Sequence, residues 1–157
     1  MKALIIRCSL TCLLMFLGIL AKAQTPIVNR QSLEGNSWTD SQLIQTASLA
    51  ELINDPHATK PLIFNIGVVE DIKGAIKLGA ASEKENLALL KKKLKGLPKN
   101  SPIVFYCGCC PFSKCPNIRP AFAMFKKMGF INAKLLNLET NLKTDWVGKG
   151  YPLAKGN

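Results

Sequence analysis

The chain has 157 residues, 48% of them hydrophobic and 20% charged, with 21 basic against 10 acidic side chains and a formal net charge of +11. This is enough for one domain with its own core. No base-stacking motif accompanies the lysines, which argues against a nucleic-acid partner and leaves a solvated surface or attraction to small anions or anionic envelope components.

The first residues read as an address. Met1, Lys2 and Arg7 make a basic start, residues 9–20 are apolar, and Ala21-Lys22-Ala23 is an A-x-A cleavage site, so the mature chain is expected to begin at Gln24. The apolar run is too short for an anchor and has no stop-transfer pattern, so no stable membrane span is expected after cleavage. Cys8 and Cys12 do not end the run in a lipobox, which argues against lipid attachment. The expected address is bacterial and exported, either periplasmic or secreted. Residues 1–23 are thus assigned to a cleaved signal, 24–41 to an N-terminal arm and 42–155 to the domain. Cleavage removes Lys2, Arg7 and Lys22, so 18 basic residues face 10 acidic ones, a charge of +8, and four cysteines remain.

Within the arm, Trp38 is a candidate to pack onto the domain. Residues 42–45 suit a short edge strand. Ser48-Leu49-Ala50-Glu51 has the form of a capping box opening a helix that runs to about Ile53, and Asn54-Asp55-Pro56 ends it. His57, the single histidine, falls in a turn and reads as an exposed loop residue. Residues 61–66 form a nearly unbroken apolar run, as expected of a strand buried on both faces. Its polar exception, Asn65, stands near the carboxyl end, where it can line a ligand pocket or cap the following loop. Residues 72–80 suggest a loop entering a short strand and carry no phosphate-loop glycine pattern. Ser82 and Glu85 form a second capping box before a helix over 82–95, with Leu87, Leu90 and Leu94 at helical spacing and Gly96 and Pro98 as the stop. The lysines at 91–93 and 95 suit the carboxyl end of the helix dipole and read as a solvated face.

Ser101-Pro102 introduces a central strand at Ile103, Val104, Phe105 and Tyr106. A loop follows with Cys107, Cys109, Cys110 and Cys115, four thiols in nine residues. Asn117 can cap the next helix, and Pro120 is tolerable in its first turn. Ala121, Phe122, Phe125 and Met128 mark that helix as amphipathic, and Gly129 closes it. A strand over 133–138 and a short helix over 139–146 follow. Strands alternating with helices indicate an α/β fold with a mostly parallel sheet.

Four thiols in one loop cannot staple distant segments, so they point to chemistry. A thiol between the carboxyl end of a strand and a helix N-terminus sits among N–H groups that favour thiolate or a bound anion. Three uses are open: sulfur transfer, thiol–disulfide redox through the C-x-x-C of Cys107 and Cys110, and a soft-metal module for Cu(I) or Zn(II) on C-x-C-C-x₄-C. A disulfide from Cys109 or Cys110 to Cys115 can brace the loop and is compatible with sulfur transfer. Structural zinc sites usually take ligand pairs from two separate knuckles, and adjacent Cys109 and Cys110 close one tetrahedron poorly, so no metal and no cofactor is expected.

The ordered set of features from about Leu49 to Pro152 resembles a rhodanese-like domain. It includes the strand ending in Asn65, the segment Gly74-Ala75-Ile76, the junction Tyr106-Cys107, the helix ending Met128-Gly129-Phe130, the strand near Leu135-Leu136, and Trp146 with Gly150-Tyr151-Pro152. The resemblance implies a three-layer α/β fold, with a mostly parallel central sheet and helices on both faces. It implies that Cys107 accepts sulfane sulfur as a persulfide and passes it to cyanide or a thiol, with Gly108, Cys109, Cys110, Lys114, Cys115 and Arg119 in the active loop. A small anionic sulfur donor would meet Lys114 and Arg119 as a basic rim, and one of the other loop cysteines could resolve the persulfide. Two departures stand out. Asn65-Ile66-Gly67 takes the place of the usual Asp-x-Arg, and Ser113 stands six positions after Cys107, where related phosphatases need arginine, which argues against phosphatase chemistry.

Overall fold

Residues 38–155 are described by the structure, a computed structural model. The expected signal segment and residues 24–37 of the expected arm lie outside the described residues. After a 3₁₀ turn at Asp40–Gln42 come β1 (Leu43–Ile44), α1 (Thr46–Asn54), β2 (Leu62–Asn65), β3 (Ala75–Lys77), α2 (Lys84–Leu94), β4 (Ile103–Tyr106), α3 (Ile118–Lys127), β5 (Ala133–Leu136) and α4 (Leu142–Asp145). The five strands form one sheet in the order β1-β5-β4-β2-β3, and every pairing is parallel.

The uniform apolarity of β4 follows from this placement. All four of its residues are buried, because the central strand of a parallel sheet is covered on both faces. Ile103 and Phe105 pack with α2 and α3, and Phe105 stacks on Phe125 at 4.7 Å between ring centroids. Val104 and Tyr106 face the opposite layer with Leu49 and Ile53 of α1, Leu142 of α4 and the fully buried Trp146. Trp38 packs onto the first layer, its ring centroid 5.8 Å from those of Phe112 and Phe122. Among the described residues no helix is long and apolar enough to cross a membrane.

Several local expectations need correction. Neither capping box forms. Helix α1 starts at Thr46, so Ser48 lies inside it, and the buried set Thr46, Leu49, Ala50 and Ile53 extends the inward stripe back to its first residue. Helix α2 starts at Lys84 with Glu83 at its N-cap and no side-chain cap bond, and the Ser82 N–H, which the box would turn to Glu85, donates to Asn117 Oδ1 at 2.9 Å. Strand β5 stops at Leu136, where a tight turn takes the Leu138 N–H onto the Leu136 carbonyl. Helix α4 is only Leu142–Asp145. Asn141 caps it by accepting from the Thr144 N–H, and Asp145 Oδ2 accepts from the N–H groups of Thr140 and Asn141. His57 is exposed in its turn, as expected.

The order of strands sets the position of the site. From β2 the chain goes first to β3 on one side and then, through α2, to β4 on the other. The crevice outside the carboxyl ends of β2 and β4 is therefore the switch point, where open parallel sheets bind ligands. Gly67 leaves one side of it and Cys107 the other.

Candidate active site

Pairing of Asn65 with Tyr106 aligns the ends of β2 and β4. The two loops that follow meet closely. A side chain at Gly67 would press into the Cys107 carbonyl oxygen and come within 2.9 Å of its sulfur, so glycine is required for the approach. Gly108 then turns the chain with φ of 80°, and a Cβ there would also collide with Leu142. Its carbonyl accepts from the Leu142 N–H at 2.9 Å, fixing the loop to α4.

The strand ends brace the wall opposite the thiols. Asn65 is fully buried. Its amide donates to the Val69 carbonyl at 3.0 Å and to Asp71 Oδ1 at 2.8 Å, while its oxygen accepts from the Gly67 N–H. Of the two roles open to it, these bonds give Asn65 that of loop cap. Asp71 supplies a carboxylate at this end of the sheet that the Asn65-Ile66-Gly67 run lacks. Tyr106 accepts at its hydroxyl from the Ile72 N–H at 2.9 Å and donates to the Glu70 carbonyl. Burial pushes this phenol above its ordinary range, so it remains a neutral hydrogen-bonding group.

Cys107 is 1% exposed and Cys115 is fully buried, while Cys109 is exposed. All four loop cysteines are free thiols. Cys107 Sγ lies 3.2 Å from Cys109 Sγ, which lies 3.5 Å from Cys110 Sγ, both well beyond the roughly 2.05 Å of a disulfide bond. The brace open to Cys109 or Cys110 with Cys115 is not formed, since all three thiols are free. Nor is the C-x-x-C pair the one in contact: Cys110 meets Cys109, and the sulfur partners of Cys107 are Cys109 and Cys115.

The sequence makes Asn117 a candidate cap for α3. It does hold the N-cap position of α3, but its side chain makes no cap bond. It is 5% exposed and spans two elements. Its oxygen holds the Ser82 N–H, which fixes the orientation of the amide, and its Nδ2 donates to Cys107 Sγ at 3.1 Å.

These partners make Cys107 a thiolate. Its pKa falls from an ordinary 9.0 to about 5, chiefly because the Cys115 thiol donates to it. The Cys109 N–H, the Asn117 amide and the Cys109 thiol add to the effect, against burial acting the other way. The same bond, with burial, pushes Cys115 above the ordinary thiol range. Cys109 is raised to about 12, first by burial and then by its bonds to Cys107 and Cys110. The result is one stabilised anion surrounded by protonated donors.

The sulfurs of Cys107, Cys109 and Cys115 lie within 4.8 Å of one another, so these three side chains could also hold a soft ion. Arg119 stands on the outer side of the loop. It donates to the Ser113 carbonyl at 3.0 Å and lies 5.8 Å over the Trp38 ring, so it ties the loop to the Trp38 face. Lys114 is exposed. A cleft of about 370 Å³ opens beside Cys109, between Val68, Glu70, Asn141 and Lys143.

No protein-family model matches the chain, and no curated protein matches it in sequence. Among solved structures it is similar to a variant of EanB carrying a cysteine persulfide, in a tetrahedral intermediate state with ergothioneine. The identity is 22% and the TM-score 0.51, over 71% of this chain and 27% of that one. It is also similar to the single-domain sulfurtransferase RDL2 of Saccharomyces cerevisiae, at 17% identity and a TM-score of 0.50, over 73% of this chain and 94% of that one. The likeness is one of backbone, and with the parallel sheet and its two covered faces it gives the chain a rhodanese-like fold.

Proposed function

We propose that the protein is a sulfurtransferase that carries sulfane sulfur on Cys107 and passes it to a thiol or cyanide. The observation that carries this reading is the place of Cys107 at the carboxyl end of the central strand, with the Asn117 amide donating to its sulfur at 3.1 Å and Cys109 Sγ at 3.2 Å, among donors that lower its pKa to about 5. A thiolate is the nucleophilic form, and the same donors can stabilise a persulfide anion. With a donor of the thiosulfate type, Cys107 Sγ attacks the outer sulfur. The new S–S bond forms as the donor's own S–S bond breaks, and sulfite leaves with the electron pair. A thiol or cyanide then attacks the terminal sulfur, and Cys107 departs as the thiolate. No metal or organic cofactor is needed to balance these steps.

Sulfite release from thiosulfate with cyanide or a small thiol as acceptor tests the reading. Cys107→Ser should abolish turnover. Turnover that survives in that variant would place the nucleophile elsewhere.

A further inference from the structure

Cys107 is enclosed, and one of the two thiols beside it, Cys109, is exposed. Cys109 Sγ lies 3.2 Å from Cys107 Sγ and borders the cleft beside Val68, which is 74% exposed. An acceptor in solution must therefore compete with a thiol that is already in place, and a positioned group has a large advantage over a diffusing one. We infer that Cys109 is the exit station of the site: sulfur loaded on Cys107 passes to Cys109, and the acceptor thiol collects it there from the cleft. This rests on the sulfurtransferase reading above.

The step balances without an oxidant or reductant. The Cys107 persulfide anion and the Cys109 thiol are the reactants. Cys109 Sγ attacks the terminal sulfur, and a new S–S bond forms on Cys109. The bond between Cys107 Sγ and that sulfur breaks, and Cys107 leaves with the electron pair as the thiolate. The Cys109 proton moves to the transferred sulfur, giving a Cys109 persulfide. The acceptor thiolate then takes this sulfur and frees Cys109.

The competing step is attack on the inner sulfur, which expels hydrosulfide and closes a Cys107–Cys109 disulfide. Exchange favours the better-stabilised leaving group. Cys107, held by the side chains of Cys115 and Asn117 and by the Cys109 N–H, is that group. The cleft also suits a charged acceptor. Lys143 offers a carboxylate-bearing thiol its counter-ion, and Glu70 faces an amine.

The test follows discharge separately from loading. Wild type and Cys109→Ser are loaded with thiosulfate, freed of donor and exposed to glutathione, and the bound sulfur is followed by intact mass and located by fragmentation. Cys109 is exposed, so the serine variant should fold, which circular dichroism checks. Both proteins should gain one sulfur atom, found on Cys107 alone in the variant and at least partly on Cys109 in the wild type, and the variant should lose it at least about tenfold more slowly. Equal discharge rates would overturn the relay and leave sulfur transfer standing. So would failure of only the variant to load, which would place Cys109 in the loading step through its bond to Cys107 and not at the exit. Release of sulfide with loss of two hydrogens from the wild type would show the disulfide route and overturn it as well. If the wild type does not load at all, the sulfurtransferase reading fails and the relay with it.

Discussion

Replacing Cys115 by alanine should raise the pKa of Cys107 by about one to two units. Cys115 is fully buried and makes the largest single contribution to lowering the Cys107 pKa to about 5. A hydrogen bond to a charged group contributes about 1.5–3 kcal/mol, and one pKa unit corresponds to about 1.4 kcal/mol. A thiol is a weak donor, which puts the expectation towards the lower end, with a midpoint near roughly 6. Cys115→Ser retains a donor and should keep the midpoint near the wild-type value. The assay is a pH titration of thiolate absorbance in the ultraviolet, with Cys107→Ser as the blank. It reads ionisation directly and does not require a reagent to reach the enclosed sulfur. The sign is fixed by the direction of the shift. Thiolate is present above about 5 and is lost as pH falls through that value. Its stabilising effect on the fold is complete only above the ordinary 9.0 of the unfolded thiol and declines from there to about 5. An unchanged midpoint in Cys115→Ala, or an equal rise in both variants, would refute the role given to this hydrogen bond.

Gly67→Ala should cost about 1–3 kcal/mol by chemical denaturation, because its Cβ meets the backbone oxygen of Cys107, which cannot yield as a flexible side chain would. A midpoint equal to wild type would show that the two loops are not packed as described. Tyr106→Phe should cost about 1–3 kcal/mol in thermal or chemical unfolding, since the buried Ile72 N–H loses its acceptor. The phenol bonds the wall of the cleft and not the sulfur, so the thiolate midpoint should stay in place; a large shift would mean that the wall and the thiols are one network.

The parts of the fold that depend on burial alone were readable in the chain. Strands β2 and β4 showed as short apolar runs, because a strand covered on both faces has no polar side to alternate with. Cys107 at the end of β4 followed from that strand and the Gly108 break. The parts that depend on long-range partners were not readable. Ser82 has a capping sequence, yet its N–H is taken by Asn117, 35 residues away. Asn117 likewise satisfies a local capping rule while its amide is turned back onto Cys107, ten residues earlier. Gly67 looked only like a missing charge. Its reason is the approach of two loops from different strands, which no spacing along the chain reveals. The division of labour among the thiols was hidden for the same reason: C-x-x-C spacing pairs Cys107 with Cys110, whereas the folded loop pairs it with Cys109 and Cys115.

The most direct test of the central claim is the intact mass of the reduced protein after incubation with thiosulfate, read beside Cys107→Ser and a triple variant lacking Cys109, Cys110 and Cys115. A gain of one sulfur atom in the wild type and in the triple variant, absent from Cys107→Ser, is the predicted result. A loss of two hydrogens without added sulfur, or a gain that persists in Cys107→Ser, would contradict it.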